Sequence, residues 1–176
     1  MDDRHRQAMA HAPSPKQRLA RYVAANKVTS VLMAGLGGFG VIFLLAELTV
    51  RFDAGLLIAP FGASCVLVFG LPHSPLARPR NVVGGHLIST AMGLIAFSLL
   101  GSTPMAFGIG VGSAIVAMAM TGTVHPPAGA DPIVVILTGA SWSFLAVPVL
   151  SGAVTIVAAG MLFRTFIVGR RETAKI

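Results

Sequence analysis

The sequence predicts an all-α membrane protein, and three observations carry that expectation. Hydrophobic residues make up 55% of the 176-residue chain and charged residues only 11%, against about 25% in ordinary soluble domains. The charge sits at the two ends. Between Arg80 and Arg164 the one formal charge is Asp131. Six apolar stretches, roughly Val28–Leu48, Gly55–Leu71, Val82–Gly101, Met105–Thr121, Pro126–Ala140 and Ser143–Phe163, follow one another with short connections. With so little polar surface to cover a core, lipid must serve as the outer solvent.

The ends come first. Of the thirteen Lys and Arg residues, six precede Val28 and four lie from Arg164 onward. The net charge of +7 therefore describes two basic tails, residues 1–27 and 165–176, flanking a transmembrane domain over residues 28–164. No basic surface interleaved with aromatics exists on a folded module, so a nucleic-acid partner is not expected. Basic tails fit contact with anionic lipid and retention in the cytoplasm. The first apolar stretch, 21 residues from Val28 to Leu48, is too long for the apolar region of a cleaved signal peptide. The expected address is the plasma membrane of a bacterium, with both termini cytoplasmic. Cys65, the single cysteine, can form no internal disulfide and reads as a small buried residue.

A helix that crosses the hydrocarbon needs about 20 residues. The first, third and sixth stretches meet that length, and the fourth nearly does. The second and fifth are short, and both are broken by proline and glycine near their start. They also resemble each other. Pro60-Phe61-Gly62-Ala63-Ser64 precedes Cys65-Val66-Leu67-Val68, and Pro127-Ala128-Gly129-Ala130-Asp131 precedes Pro132-Ile133-Val134-Val135. The chain thus divides into two halves of three segments, and an odd number of crossings per half inverts the second half. Short, interrupted segments at matching places in two halves point to a transporter binding site.

If Pro60 and Pro127 each open a short helix, where a missing N–H does no harm, the two stubs run in opposite directions. Their N-termini then meet inside the membrane. Each offers free backbone N–H groups and about half a positive charge, which makes an anion site without a buried Lys or Arg. Gly62 and Gly129 let a small solute approach the backbone closely. With six crossings the connection Pro72–Asn81, carrying Arg78 and Arg80, falls on the same side as the tails.

Four blocks in order, Ala59-Pro60-Phe61-Gly62-Ala63-Ser64, Pro72 through Asn81, Gly84-Gly85-His86, and His125-Pro126-Pro127-Ala128-Gly129-Ala130, make the chain resemble the HPP family of membrane proteins, named for its His-Pro-Pro motif. The likeness covers nearly the whole chain after the tail. It implies a small transporter-like protein, conventionally given four spans, with nitrite transport linked to some plastid and cyanobacterial members. Asp131 stands where many relatives are expected to carry Thr or another small polar residue, which argues against a simple anion-only pore.

The residues with chemistry are few. Ionisable groups inside a membrane are functional candidates because exposing them to lipid is costly. His86 has Thr90 one turn later on the same face. His125 precedes the second stub, where it can cap a helix, donate to a solute, or bond a loop carbonyl. Asp131 can relay a proton or repel an anion. Arg78 and Arg80 read either as an anion-attracting vestibule or as topology signals at the headgroups. Glu47 and Arg51, four apart, form an interfacial pair. His73, His86 and His125 lack a metal-ligand spacing, so no metal or other cofactor is expected. Ser64 is not in a Gly-x-Ser-x-Gly elbow, so no enzyme is expected either. Gly108, Gly112, Ser151, Thr155 and Ala159 have spacing for close helix packing within or between subunits, and a homo-oligomer is plausible on size. The leading expectation is a channel or transporter for a small inorganic anion, nitrite first, through Pro60–Ser64, His86, and His125, Pro126, Pro127, Gly129, Ala130 and Asp131. The alternatives are a proton-coupled carrier of a weak acid or neutral solute and a non-transporting scaffold subunit. Any transport is passive or ion-coupled, since the chain has no P-loop.

Overall fold

A computed structural model describes residues 28–53 and 55–165, so the tail over residues 1–27 and the second tail beyond residue 165 lie outside the described residues. Regular structure among the described residues is entirely helical. Residues up to Met33 belong to a separate compact unit, of which only the start of the first helix is described. The unit from Ala34 onward holds every other described residue.

Helix α1 runs Val28–Phe52 without a break. Its end is pinned by Thr49, whose hydroxyl donates to the Leu45 carbonyl at 2.8 Å and accepts from the Leu57 amide at 3.1 Å. Helix α2, Ala59–Cys65, carries Pro60 in its first turn and continues as a π-helical turn over Val66–Gly70. At 1.5 Å per residue, the run Ala59–Gly70 extends only about 18 Å. A short 3-10 turn, Pro75–Ala77, leads to α3, Pro79–Leu100. Helix α4, Pro104–Thr121, starts on a Thr103 cap whose hydroxyl accepts from the Ala106 amide at 3.2 Å. It stops at Gly122 in the left-handed region (φ 65°), with the Thr123 amide returning to the Met118 carbonyl at 2.9 Å, the usual glycine-terminated helix end. A 3-10 turn, Pro126–Ala130, then feeds α5, Asp131–Thr138. The last stretch comprises turns over Trp142–Leu145 and Ala146–Leu150, then α6, Ser151–Phe163.

Among the described residues, four runs are long and apolar enough to cross a membrane, against the six crossings expected: Ser30–Phe52, Pro79–Leu100, Pro104–Thr121 and Trp142–Phe163. Two further details differ from the sequence expectation. Pro127 opens a 3-10 turn rather than an α-helix, and the helix proper begins at Asp131-Pro132, where Pro132 lacks the amide that the first turn leaves unbonded. The last stretch is interrupted. Val147 is extended (φ −133°, ψ 115°) before Pro148, to which it is joined by a cis peptide bond. The proline ring disfavours helical geometry at the residue before it.

A core of Val41 and Leu45 from α1, Phe61 and Cys65 from α2, Val82 from α3 and Ala153 and Ile156 from α6 joins these helices. Glycine sets how closely they approach. Gly152 lies against the Phe61 ring and Gly160 against Val68. A Cβ on Gly93 of α3 would stand 2.6 Å from the Pro132 Cα, and one on Gly110 of α4 3.1 Å from the Pro132 Cβ. The start of α5 is therefore seated between α3 and α4. Gly108 and Gly112, by contrast, are exposed with nothing within 4 Å of a built Cβ, so they do no packing within this chain. Outward faces are apolar, with Leu36, Phe39, Leu99, Met120 and Leu137 all exposed. Lipid as the solvent explains them.

Because backbone cannot yield as a side-chain tip can, Gly93→Ala is expected to destabilise the protein by about 1–3 kcal/mol, the typical cost of overpacking. Gly112→Ala should stay within about 0.5 kcal/mol. Unfolding in detergent micelles, followed through Trp142 fluorescence, checks both; equal stability of the two variants would remove the notch argument.

Candidate functional site

Helix α3 presents His86, Ser89 and Thr90 on one face, three and four residues apart as helical neighbours must be. All three are completely buried. Two glycine features bring partners to that face. A Cβ on Gly84 would lie 2.9 Å from the Thr123 side chain, and one on Gly85 2.7 Å from His125 Cβ. The Gly84-Gly85 pair thus lets the chain after α4 run against α3 and delivers His125 beside His86, the two rings centred 5.1 Å apart. Eight residues along α3, the Gly93 notch seats Pro132 and so fixes Asp131 over the same face.

The result is a continuous hydrogen-bonded chain. Asp131 Oδ2 lies 2.7 Å from His86 Nδ1 and accepts from the Thr90 hydroxyl at 3.3 Å. His86 Nε2 lies 2.8 Å from Ser64 Oγ. The same Ser64 Oγ lies 2.9 Å from His125 Nε2, and His125 Nδ1 donates to the Leu76 carbonyl at 2.9 Å. Ser64, His86, Thr90, His125 and Asp131 are each 0% exposed. Ser89 donates to the Ala128 carbonyl at 2.6 Å and holds the 3-10 turn in place. Phe61 closes one side, its ring edge-to-face with His86 at 5.2 Å. One group is left over: Asp131 Oδ1 is buried without a hydrogen-bond partner.

The remaining expected site residues lie around this chain. The Pro60 carbonyl accepts from Ser64 at 3.2 Å, and Pro127 is buried in the turn below Asp131. Gly62, Ala63 and Pro126 are exposed, and Gly129 and Ala130 are half-buried. Neither Gly62 nor Gly129 has a heavy atom within 4 Å of a built Cβ. His73 is exposed on its connection. Arg78 precedes α3 as its exposed N-cap. The Arg80 guanidinium donates to the Gly122 carbonyl, and Asn81 donates to the Val124 carbonyl at 2.9 Å. Arg164 reaches the Ala77 carbonyl at 3.0 Å. These bonds tie the ends of the 71–78 connection, α4 and α6 together. Glu47 and Arg51 pair at 3.0 Å on α1. Ser89, Asn81 and the Leu76 carbonyl escape the sequence reading. The spacing of His86, Ser89 and Thr90 on an apolar helix is the signal that could have found the first.

Ser64, His86 and Asp131 share the connectivity of a hydrolytic triad, serine to imidazole to carboxylate. The setting differs from one. Ser64 Oγ is flanked by two imidazoles and a carbonyl and is wholly enclosed, so no substrate carbonyl reaches it in this conformation. A chain of donors and acceptors with ionisable ends is suited instead to holding and moving a proton. If the links depend on one another, a double-mutant cycle of His86→Gln and Asp131→Asn will give a coupling of about 0.5–3 kcal/mol in unfolding free energy. Additive effects would mean that the 2.7 Å contact carries no stability of its own.

A family model described as "HPP, transmembrane region" matches residues 23–173. Two proteins of Dictyostelium discoideum described as transmembrane proteins are similar to the chain. One is 36% identical over 128 residues, covering 68% of this chain and 41% of the relative, and the other 35% identical over 118 residues, covering 62% and 41%. The chain thus spans about two fifths of the length of these relatives. No solved structure matches.

Proposed function

This chain belongs to the HPP transmembrane family, and from that premise we propose that it is a transporter of a small solute, with a small inorganic anion, nitrite first, as its cargo. The observation that carries the reading is the pair of bonds from Ser64 Oγ to His86 and His125. Through Ser64, the segment opened by Pro60 is latched to the residue that precedes Pro126-Pro127. The two interrupted segments meet at one buried polar centre, where a transporter of broken helices holds its cargo.

The described conformation is closed, since all members of the centre are buried. For a solute to enter, the Ser64–His125 latch must part. That frees the Ser64 hydroxyl to donate to an anion, and leaves the His125 Nε2 able to donate once the imidazole takes up a proton. The turns at Gly62–Ala63 and Gly129–Ala130 have open space beside them, and their backbone amides can complete the shell. Arg78 and Arg80 supply positive potential at the end where the 71–78 and 122–125 connections meet. We place that end on the cytoplasmic face with both tails, by the bias of Lys and Arg, and read the protein as doing no covalent chemistry. His73→Cys should then react with an impermeant thiol reagent only from the cytoplasmic side; labelling from the outside would reverse the orientation.

The test is nitrite and chloride flux in proteoliposomes. Wild-type protein should move nitrite above the protein-free background. His125→Ala should lose roughly tenfold in rate, equivalent to about 1.4 kcal/mol. Gly129→Leu should remain folded, because nothing crowds that position, and yet carry less. No flux of either anion from a monodisperse preparation would overturn the transport reading. Normal flux through Gly129→Leu would remove the backbone turn from the path.

A further inference from the structure

Counting protons along the buried chain gives a result that the fold alone does not. Four contacts link its five acceptor-bearing groups: Asp131 to His86, His86 to Ser64, Ser64 to His125, and His125 to the Leu76 carbonyl. Each needs one hydrogen. The Leu76 carbonyl only accepts, so His125 Nδ1 must carry hydrogen, and a neutral His125 then has a bare Nε2. That bare nitrogen takes the Ser64 hydroxyl proton, whose other acceptor, the Pro60 carbonyl, is farther away at 3.2 Å. Ser64 has then spent its single hydrogen, so the bond to His86 must be donated by His86 Nε2. One hydrogen is still required between His86 Nδ1 and Asp131 Oδ2. Two neutral imidazoles, one hydroxyl and a carboxylate supply three hydrogens in all. The geometry calls for a fourth.

We infer that this cluster holds one exchangeable proton, shared between Asp131 and His86, and that this proton is the coupling ion that accompanies a monovalent anion through the protein. The coupling half of the inference rests on the transport reading; the proton count does not. With the fourth proton the cluster is electrically neutral, as carboxyl with imidazole or as carboxylate with imidazolium. Without it, an unbalanced negative charge stays buried and His86, with one hydrogen for two contacts, leaves either the 2.7 Å contact to Asp131 or the 2.8 Å contact to Ser64 without a hydrogen, both costly away from water.

No other group offsets that charge among the described residues. The parts of the chain packed on the cluster contribute Ser64 and Cys65 from α2, with Cys65 turned toward α1 at Gly38. Helix α3 supplies His86, Ser89 and Thr90, and α5 supplies Asp131. The segments of α4 and α6 hold no titratable side chain. Glu47 and Arg51 are paired with each other on α1, His73, Arg78 and Arg80 are exposed at the end of the 71–78 connection, and Arg164 reaches the Ala77 carbonyl, while the ion pair of Asp131 is with His86. The unpartnered Asp131 Oδ1 is the remaining site where a proton can rest or be handed on. When the latch opens, a protonated cluster presents His86 Nε2–H and the Ser64 hydroxyl to the anion. A deprotonated cluster presents its own negative charge. Anion and proton therefore enter together, and only N–H and O–H bonds are exchanged.

Two measurements test this. Solid-state nitrogen NMR of histidine-labelled protein in bilayers at neutral pH should show His86 with hydrogen on Nε2 and His125 with hydrogen on Nδ1 and a bare Nε2. Raising the pH should strip His86 Nε2 in the wild type. It should not do so in Asp131→Asn, whose amide can donate to Nδ1 and replace the shared proton. A bare His86 Nε2 at neutral pH, or identical titration of the two proteins, would overturn the proton count. In proteoliposomes, nitrite should accumulate about tenfold per unit of imposed pH gradient, with no net charge moved under a potassium–valinomycin potential. Nitrite flux that follows the potential and ignores the pH gradient would overturn the coupling while leaving the transport reading in place. No nitrite flux beside the expected NMR signature would defeat the transport reading and the coupling with it, leaving the count intact.

Discussion

The buried histidine–aspartate cluster of this protein depends on a single hydroxyl. Ser64 stands between two imidazoles that come from opposite ends of the chain's middle, His86 on α3 and His125 beyond α4. In water such contacts would contribute little. Inside a body whose outer faces are apolar and whose solvent is lipid, an unpaired imidazole or carboxylate has no alternative partner, and each lost bond costs the full desolvation of the group left behind. The serine is small enough to be reached from both sides and can donate once and accept more than once. A bulkier or non-hydroxylic residue would leave at least one ring without a partner.

That hydroxyl is useful only because backbone brings the rings to it, and here glycine does what side chains cannot. The two notches of α3, Gly84-Gly85 and Gly93, accept the 123–125 segment and Pro132 at distances that a Cβ would forbid. The Gly-Gly-His and His-Pro-Pro blocks are thus two halves of one contact. Proline does the complementary work. Pro60, Pro126, Pro127 and Pro132 start short segments without leaving amides that need partners at those positions, so the irregular backbone between α4 and α5 can lie inside the protein. Ser89 satisfies one of the carbonyls that remain.

How much of this can be read from the sequence is decided by the same physics. The helical class and the long spans are legible because length and hydropathy are local properties. The blocks that meet at the site are legible as candidates, since ionisable residues and paired Pro-Gly interruptions stand out in an apolar chain. Their connection is not. Ser64 and His125 are sixty-one residues apart, and no periodicity records which faces of two helices share a partner. In the sequence Ser64 can be judged only by its flanking residues, which lack the hydrolase elbow, while its link to Asp131 runs through a histidine on another helix. Gly108 and Gly112 take no part in packing among the described residues, for a related reason. Spacing of small residues marks a face that permits close approach, whereas the faces used here carry Gly93, Gly110, Gly152 and Gly160, chosen by what lies opposite them.

The triad-like connectivity shows how environment, more than residue list, decides chemistry. In a hydrolase the serine proton has one destination, and the oxygen attacks a carbonyl held beside it in the substrate cleft. Here the proton's destination is a second imidazole, itself anchored on the Leu76 carbonyl, so shifting it along the chain regenerates the hydroxyl instead of exposing a nucleophile. Asp131 differs correspondingly. A triad carboxylate remains charged and steadies an imidazolium that forms in passing. A carboxylate wrapped among apolar helices needs a permanent counter-charge or a proton, and among the described residues the group it pairs with that can become cationic is the imidazole it bonds. In our reading, parting Ser64 from His125 turns a neutral, closed cluster into one with a free donor, and a small anion is what completes it again. The condition that keeps the closed state stable in lipid, zero net charge with a hydrogen in each of the four contacts, is then the same condition that ties the solute's charge to a proton.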